Sequence, residues 1–86
     1  MYEVEVVGKG REFFEEATAE LQRRLDRGFE RLKVSPRHHP NIKSLKGNFA
    51  GQFRYRVGDY RIIYRIDDAA RRVYVTAIVH RREAYD

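Results

Sequence analysis

The stretch RYRVGDYRIIYRI, residues 54–66, constrains the fold most, because it predicts two strands joined by a tight turn. Apolar and polar residues alternate on both sides of Gly58-Asp59, as they do in strands with one buried face. Glycine accepts the positive φ that two-residue hairpin turns require. The sequence therefore predicts an antiparallel hairpin with strands at about 52–57 and 60–66.

The two-residue turn also predicts the register of this hairpin, with Val57 opposite Tyr60 and Arg56 opposite Arg61. One face would pack on the core with Phe53, Tyr55, Val57, Tyr60, Ile62 and Tyr64. The other face would carry Arg54, Arg56, Arg61, Ile63 and Arg65. Like charges directly opposite one another destabilise a sheet by a few tenths to about 1 kcal/mol. We therefore expect a bound anion, or nearby carboxylates, on the arginine-bearing face.

The rest of the chain reads as one strand, a helical region, a loop and a last strand. Alternation predicts a strand at 2–7, and GKG reads as a break after it. Apolar residues at helical spacing predict helix over 11–33, and a break near Ala17–Ala19 with Thr18 as N-cap would divide it in two. Prolines and glycines predict a loop over 34–51.

The last strand is predicted at 72–79, after a turn at 67–70. If that turn has four residues, Tyr74, Thr76, Ile78 and His80 join the arginine-bearing face. His80 would then lie at the end of the basic surface.

Size and charge narrow the class of protein. A chain of 86 residues is a single domain, 1–86. Eight basic side chains against one acidic residue within 33–66 give this segment a sum of +7, although the whole chain carries only +5. Such a block favours a polyanionic partner, and a merely soluble basic surface is the alternative.

Several protein classes are disfavoured by the composition. The chain has no cysteine, which excludes disulfides, a thiolate nucleophile and cysteine metal sites, and which fits a reducing cytoplasm. It has no apolar run of about 18 residues that would span a membrane. The acidic, strand-like N-terminus is unlike a signal peptide.

Taken together, the motifs of residues 44–85 resemble the RelE/ParE superfamily of bacterial type II toxins. They are Leu-Lys-Gly at 45–47, Arg-x-Arg at 54–56, Gly-Asp-Tyr-Arg at 58–61, and His-Arg-Arg at 80–82 followed by a tyrosine. The resemblance implies an α+β fold, with two N-terminal helices packed on one face of a mostly antiparallel four-stranded sheet.

The RelE branch of this superfamily implies a ribosome-dependent mRNA endoribonuclease that needs no metal and no small-molecule cofactor. Its basic sheet face binds mRNA in the ribosomal A site, where the ribose 2′-hydroxyl attacks the adjacent phosphate. The products carry a 2′,3′-cyclic phosphate and a 5′-hydroxyl. The resemblance also implies a cytoplasmic protein with a cognate antitoxin as partner, which would lay a helix over the toxin or disturb its C-terminal tail.

By the same resemblance, Arg61 occupies the position of the family's phosphate-binding arginine, and its alternative is a surface salt bridge. Arg81 matches the C-terminal arginine that stabilises the leaving 5′-oxygen, and Tyr85 matches the terminal tyrosine that stacks on a base or helps to activate the 2′-hydroxyl. Arg54 lies where some relatives have a lysine proposed as base. Arginine keeps its proton, so Arg54 would stabilise charge instead.

The remaining candidates carry weaker signals. His80 is a candidate general acid or base, because histidine titrates near neutral pH, although a histidine at a strand end is more often structural. Arg56, Lys43 and Lys46 are candidate phosphate contacts, with a solvated or acid-paired surface as the alternative. His38-His39 is a weak metal signal, because no nearby carboxylate or cysteine completes a ligand set.

Two other functions remain open at this point. A gyrase-directed toxin of the ParE branch would act through protein–protein contact, without RNA chemistry. A catalytically weak relic would still bind antitoxin. The cluster of His80, Arg81 and Tyr85 favours the nuclease, whereas the lack of lysines on the central strand weakens that preference.

Overall fold

The computed structural model describes residues 1–83, which form two helices and a five-stranded sheet. In chain order the elements are β1 (Glu3–Val6), α1 (Gly8–Glu16), α2 (Ala19–Val34), β2 (Ile42–Ser44), β3 (Gln52–Val57), β4 (Tyr60–Asp67) and β5 (Arg72–His80). The strand order is β1-β5-β4-β3-β2. Only β1 pairs in parallel among these strands, so the predicted α+β fold is confirmed.

The sheet has one strand more than the sequence predicted. β2 lies inside the segment predicted as loop, and it pairs antiparallel to β3 with Lys43 opposite Arg54. A strand of three residues is too short to show alternation, and its hydrogen bonds come from the outer edge of β3. Local sequence therefore carries no signal for it.

Two helices precede β2, and the predicted break between them is confirmed. Thr18 caps α2, since its Oγ1 accepts a hydrogen bond from the backbone N–H of Leu21 at 3.2 Å. The GKG segment, predicted as a break, instead forms the first turn of α1. The backbone N–H of Arg11 donates to the carbonyl of Val7 at 3.2 Å, which closes that turn.

The core lies between α2 and one face of the sheet. Gly28 of α2 is buried there, and a Cβ at this position would lie only 3.2 Å from Val57 Cγ2. Glycine thus lets the helix sit close to β3. The buried apolar residues of the helix and sheet are Leu25, Phe29, Leu32, Tyr55, Ile62, Tyr64, Val73, Val75 and Ile78.

The β3–β4 hairpin has the predicted register. Val57 pairs with Tyr60 and Arg56 with Arg61, and the pairing continues to Phe53 opposite Tyr64. Gly58 has φ +58°, the conformation expected of it in the tight turn. The alternation of apolar and basic residues therefore places the apolar set on the helices and the basic set on the open side of the sheet.

A β-bulge interrupts the pairing of β4 with β5. Ile63 lies opposite Ala77 and Tyr64 opposite Val75, so Thr76 is the extra residue. The Thr76 hydroxyl donates to the carbonyl of Ile63 at 3.4 Å. Because strand side chains alternate, one extra residue moves every later residue of β5 to the other face from the one predicted.

Polar contacts fix the segment between α2 and β2 to the sheet. Arg37 binds both carboxylate oxygens of Asp68, at 3.1 and 2.8 Å, and the Tyr2 hydroxyl donates to the same carboxylate at 2.6 Å. The buried Tyr64 hydroxyl donates to the carbonyl of Pro36 at 2.6 Å. The Asp68 carboxylate thus connects the turn after β4 with Arg37, which follows α2, and with Tyr2, which precedes β1.

Neither helix within residues 1–83 is both long and apolar enough to cross a bilayer.

Candidate nucleic-acid interface

The open side of the sheet carries a cluster of basic side chains, which we call the arginine face. The pairing registers place on it Lys43 of β2, Arg54 and Arg56 of β3, and Arg61 and Arg65 of β4. Three adjacent strands contribute, so the basic side chains are gathered on one side of the sheet. A surface of this kind suits a polyanion better than it suits a single carboxylate.

The two arginines next to the hairpin turn lie directly opposite each other. Arg56 is exposed, whereas Arg61 is half-buried with its Nη1 atom wholly inaccessible to solvent. Two residues further from the turn, Arg54 is only 6% exposed. The enclosure of Arg54 and Arg61 keeps their guanidinium groups in defined positions, which is what recognition of a phosphate requires.

The chain brings Arg81 to the same end of the arginine face. β5 ends at His80, and the backbone N–H of Arg81 donates to the carbonyl of Asp59 in the hairpin turn at 2.7 Å. Its guanidinium lies 3.8 Å from the Asp59 carboxylate. Arg81 therefore stands beside the turn that also precedes Arg61, and its exposed side chain is accessible to a ligand.

His80 lies on the opposite face from the one predicted. It pairs with Tyr60, and the two rings meet edge to face with 5.3 Å between their centroids. Tyr60 in turn contacts Phe13 of α1, so this is the helix side of the sheet. The bulge at Thr76 is the cause. The same shift buries Ile78 in the core and puts Ala77 and Val79 on the arginine face.

The charge on the open side changes sign across the sheet. Glu3 and Glu5 of β1 share this side, opposite Arg72 and Tyr74 of β5, and Glu3 lies 3.6 Å from Arg72. At the far edge Lys43 is exposed. The field therefore directs an anionic ligand toward β2, β3 and β4 and away from β1.

Other predicted residues lie outside this central cluster. Lys46 is exposed in the connection between β2 and β3. His39 is structural, because its Nδ1 accepts the backbone N–H of Asn41 at 3.0 Å and its ring contacts Tyr55. His38 is exposed. Within residues 1–83 no three histidine, aspartate or glutamate side chains gather as metal ligands would. Tyr85 lies outside the described residues.

Sequence reasoning missed two features. Arg65 stacks on Tyr74 on the arginine face, and this pair requires the exact register of β4 with β5, which the sequence did not specify. On the helix side, three arginines of α2 line a groove of about 410 Å³. Their spacing of three and four residues was a usable signal, since it places Arg24, Arg27 and Arg31 on one helix face.

Comparison with known proteins agrees with this geometry. Residues 10–85 match the family described as the ParE toxin of the type II toxin-antitoxin system parDE. The chain belongs to the RelE/ParE superfamily of type II toxins. A stretch of 43 residues, half of this chain, is 42% identical to Toxin RelG of Mycobacterium tuberculosis, and the match spans 49% of that protein. The chain thus covers about half the length of this relative.

Solved structures show that the RelE/ParE fold extends over nearly the whole chain. The toxin–antitoxin complex RelBE2 of Mycobacterium tuberculosis contains a chain that is 27% identical, with a TM-score of 0.81 and coverage of 93% of this chain and 98% of that one. The isolated RelE toxin of E. coli has a TM-score of 0.79 at 16% identity, with 98% and 88% of the two chains covered. This second likeness concerns the fold alone.

Proposed function

We propose that this toxin is a ribosome-dependent mRNA endoribonuclease. The observation that carries the proposal is the pairing of Arg56 with Arg61 beside Arg81, at one end of a basic face that spans three strands. Guanidinium groups so arranged can bind one phosphate together through charge-assisted hydrogen bonds. The similarity to Toxin RelG and to RelE chains supports the same reading.

The proposed chemistry is transesterification within the RNA. The 2′-oxygen forms a bond to the adjacent phosphorus as the bond from phosphorus to the 5′-oxygen breaks. The 2′-hydroxyl gives up a proton and the leaving 5′-oxygen takes one up. Arg61 would donate hydrogen bonds to the phosphoryl oxygens, where negative charge increases, and Arg81 would stabilise the leaving oxygen.

The supporting residues have electrostatic roles in this proposal. Arg54 holds a fixed positive charge next to the reacting phosphate, while Arg56, Lys43 and Lys46 bind flanking phosphates of the mRNA. Tyr85, which lies outside the described residues, is the candidate that remains for contact with a base or with the 2′-hydroxyl. The proton-transfer role proposed for His80 does not fit a ring packed on the helix side.

The test is primer extension on a reporter mRNA during induced expression of wild type, Arg61→Ala and Arg81→Ala. Cuts within translated codons that vanish in both variants are the expected result. The control is Arg23→Ala, which removes an exposed arginine of α2 that is not part of the arginine face. This variant should cut normally. Intact mRNA with the wild-type toxin contradicts the proposal.

The second candidate function is inhibition of DNA gyrase without nuclease activity. It is favoured by one observation, the match of residues 10–85 to the ParE toxin family. A gyrase cleavage assay run beside the primer extension separates the two functions. Stabilised gyrase–DNA breaks with intact mRNA would reassign the arginine face to a protein partner.

A cognate antitoxin is the proposed protein partner. Similar chains occur in complexes with RelB antitoxins in Mycobacterium tuberculosis and Pyrococcus horikoshii. Co-expression with a RelB-like protein from the same genome, chosen for co-purification with this toxin, should restore growth and yield a stable complex. Failure of both would contradict the proposed pairing.

A further inference from the structure

Arg65 and Tyr74 form a stacked pair on the arginine face, away from the residues assigned to chemistry. They lie directly opposite each other in β4 and β5. The Arg65 guanidinium carbon is 4.3 Å from the centre of the Tyr74 ring, a close cation–π contact. The ring thereby fixes the guanidinium on the sheet surface.

One side of this guanidinium remains available to a ligand. Arg65 is exposed, whereas Tyr74 beneath it is half-buried. Arg65 makes no ion pair with any residue of 1–83. A planar cation held on an aromatic ring is a surface on which a nucleobase can stack, since bases stack on guanidinium planes as they do on aromatic rings.

The position of the pair decides which base it would meet. Arg61 and Arg65 are four residues apart on β4 and share a face, so they lie about 14 Å apart along the strand. That distance exceeds the backbone of a single nucleotide. A base on Arg65 therefore belongs to a nucleotide that flanks the phosphate held at Arg61, and its backbone would cross the basic part of the face.

We propose that Arg65 and Tyr74 are a nucleobase-stacking platform that sets base preference at a position flanking the cleaved phosphate. This inference rests on the proposed RNA substrate. Stacking strength grows with the area of the base, so the platform favours a purine over a pyrimidine at that position. It contributes to specificity and not to the reaction itself.

The deciding substitution is Arg65→Lys, because it keeps the positive charge and removes the planar guanidinium group. Tyr74→Leu removes the ring that holds the guanidinium, and Tyr74→Phe keeps it. The chain offers a matched control in Arg71, whose guanidinium lies 4.5 Å from the Tyr2 ring outside the arginine face. Arg71→Lys makes the same chemical change where no base is expected.

The first measurement is the binding of short single-stranded RNAs that carry one fluorescent 2-aminopurine, placed at each position in turn. Wild type should quench the fluorophore at one position. Arg65→Lys and Tyr74→Leu should lose that quenching and bind purine-containing RNA about tenfold more weakly. Tyr74→Phe and Arg71→Lys should match wild type.

The second measurement sequences cut sites from a randomised codon library translated with each variant. Wild type should show purine enrichment at one flanking position, and Arg65→Lys should lose the enrichment while still cutting. Unchanged enrichment together with unchanged quenching overturns the platform. If quenching depends on Arg65 but neither wild type nor any variant cuts mRNA, the platform stands and the proposed nuclease function fails. Absence of any RNA binding by wild type overturns the platform as well.

Discussion

Tyr60 lies directly opposite His80 across the β4–β5 ladder, and their rings meet edge to face at a centroid distance of 5.3 Å. This pair places His80 on the helix side of the sheet, and the arginine face lies on the other side. His80 Nδ1 also accepts the backbone N–H of Arg82 at 3.3 Å. The imidazole thus supports the turn that carries Arg81, and it lies on the opposite side of the sheet from the arginine face.

His80→Gln should therefore leave cleavage largely intact. Loss of a general acid or base costs about 100-fold or more in rate, and we expect a much smaller effect. The pH–rate profile should keep its shape, because the imidazole packs against Tyr60 on the helix side, away from the arginine face. A loss of 100-fold with a changed pH profile would restore His80 to the chemistry.

Arg56→Gln should stabilise the protein while weakening RNA binding. Removing one of two opposed arginines relieves repulsion of a few tenths to about 1 kcal/mol in the free energy of unfolding. The gain should shrink at high salt, which screens the repulsion. Urea unfolding at low and high salt measures both effects, with the exposed Arg23→Gln as control. A destabilised variant would show that the pair is not under strain.

Gly10→Ala should destabilise the fold by about 1–3 kcal/mol, since added volume must displace packed atoms. A Cβ at Gly10 would lie 3.0 Å from the carbonyl oxygen of Val75 and 3.2 Å from the backbone nitrogen of Ala77. Both atoms flank the bulge and cannot move independently. Lys9→Ala, exposed on the same helix, is the control in urea unfolding. Equal stability of the two variants would contradict this packing.

Asp68 should make stability depend on pH in the acid range. Hydrogen bonds first from Arg37 and then from Tyr2 hold the pKa of the Asp68 carboxyl below its usual value. The folded state thus binds this proton less readily than the unfolded state does. The stabilising contribution is present above about pH 4 and is lost as the pH falls through the lower folded value.

Asp68→Asn should reduce stability at neutral pH and flatten its dependence below about pH 4. Thermal unfolding across that range is the measurement. A variant whose acid transition parallels that of wild type would show that the contact contributes nothing in solution.

Tyr64 should make the stability of the fold depend on pH in the alkaline range. Burial, more than any nearby charge, raises the pKa of its hydroxyl. Its contribution is fully present below about pH 10 and is lost as the pH rises toward the folded value. Tyr64→Phe should remove this dependence and cost about 1 kcal/mol at neutral pH, because the bond to Pro36 is lost. Unfolding of both proteins between neutral and alkaline pH decides the point.

The hairpin shows what the sequence could predict. Alternation on both sides of Gly58-Asp59 specified the strands, the register and the face that each arginine occupies, because these depend on neighbouring residues only. Strand β2 depends on a partner further along the chain, and three residues show no alternation.

The positions of the candidate site residues could likewise be predicted only where they depend on neighbouring residues. Arg54, Arg56 and Arg61 lie on the open face as expected, since the hairpin determines their direction. His80 does not, because the extra residue at Thr76 moves the later residues of β5 to the other face of the sheet. A single extra residue within a strand leaves no periodic signal in the sequence. The pairing of Arg65 with Tyr74 depends on the register of β4 with β5, which alternation alone does not specify.

Single-turnover cleavage of mRNA in the A site of purified ribosomes tests the central claim most directly, namely that Arg61 stabilises the transition state of RNA cleavage. Wild type should cut and leave a 2′,3′-cyclic phosphate, and Arg61→Ala should bind the ribosome yet react about 100- to 1,000-fold more slowly. Equal rates for the two proteins, or no cleavage by wild type, would contradict the account.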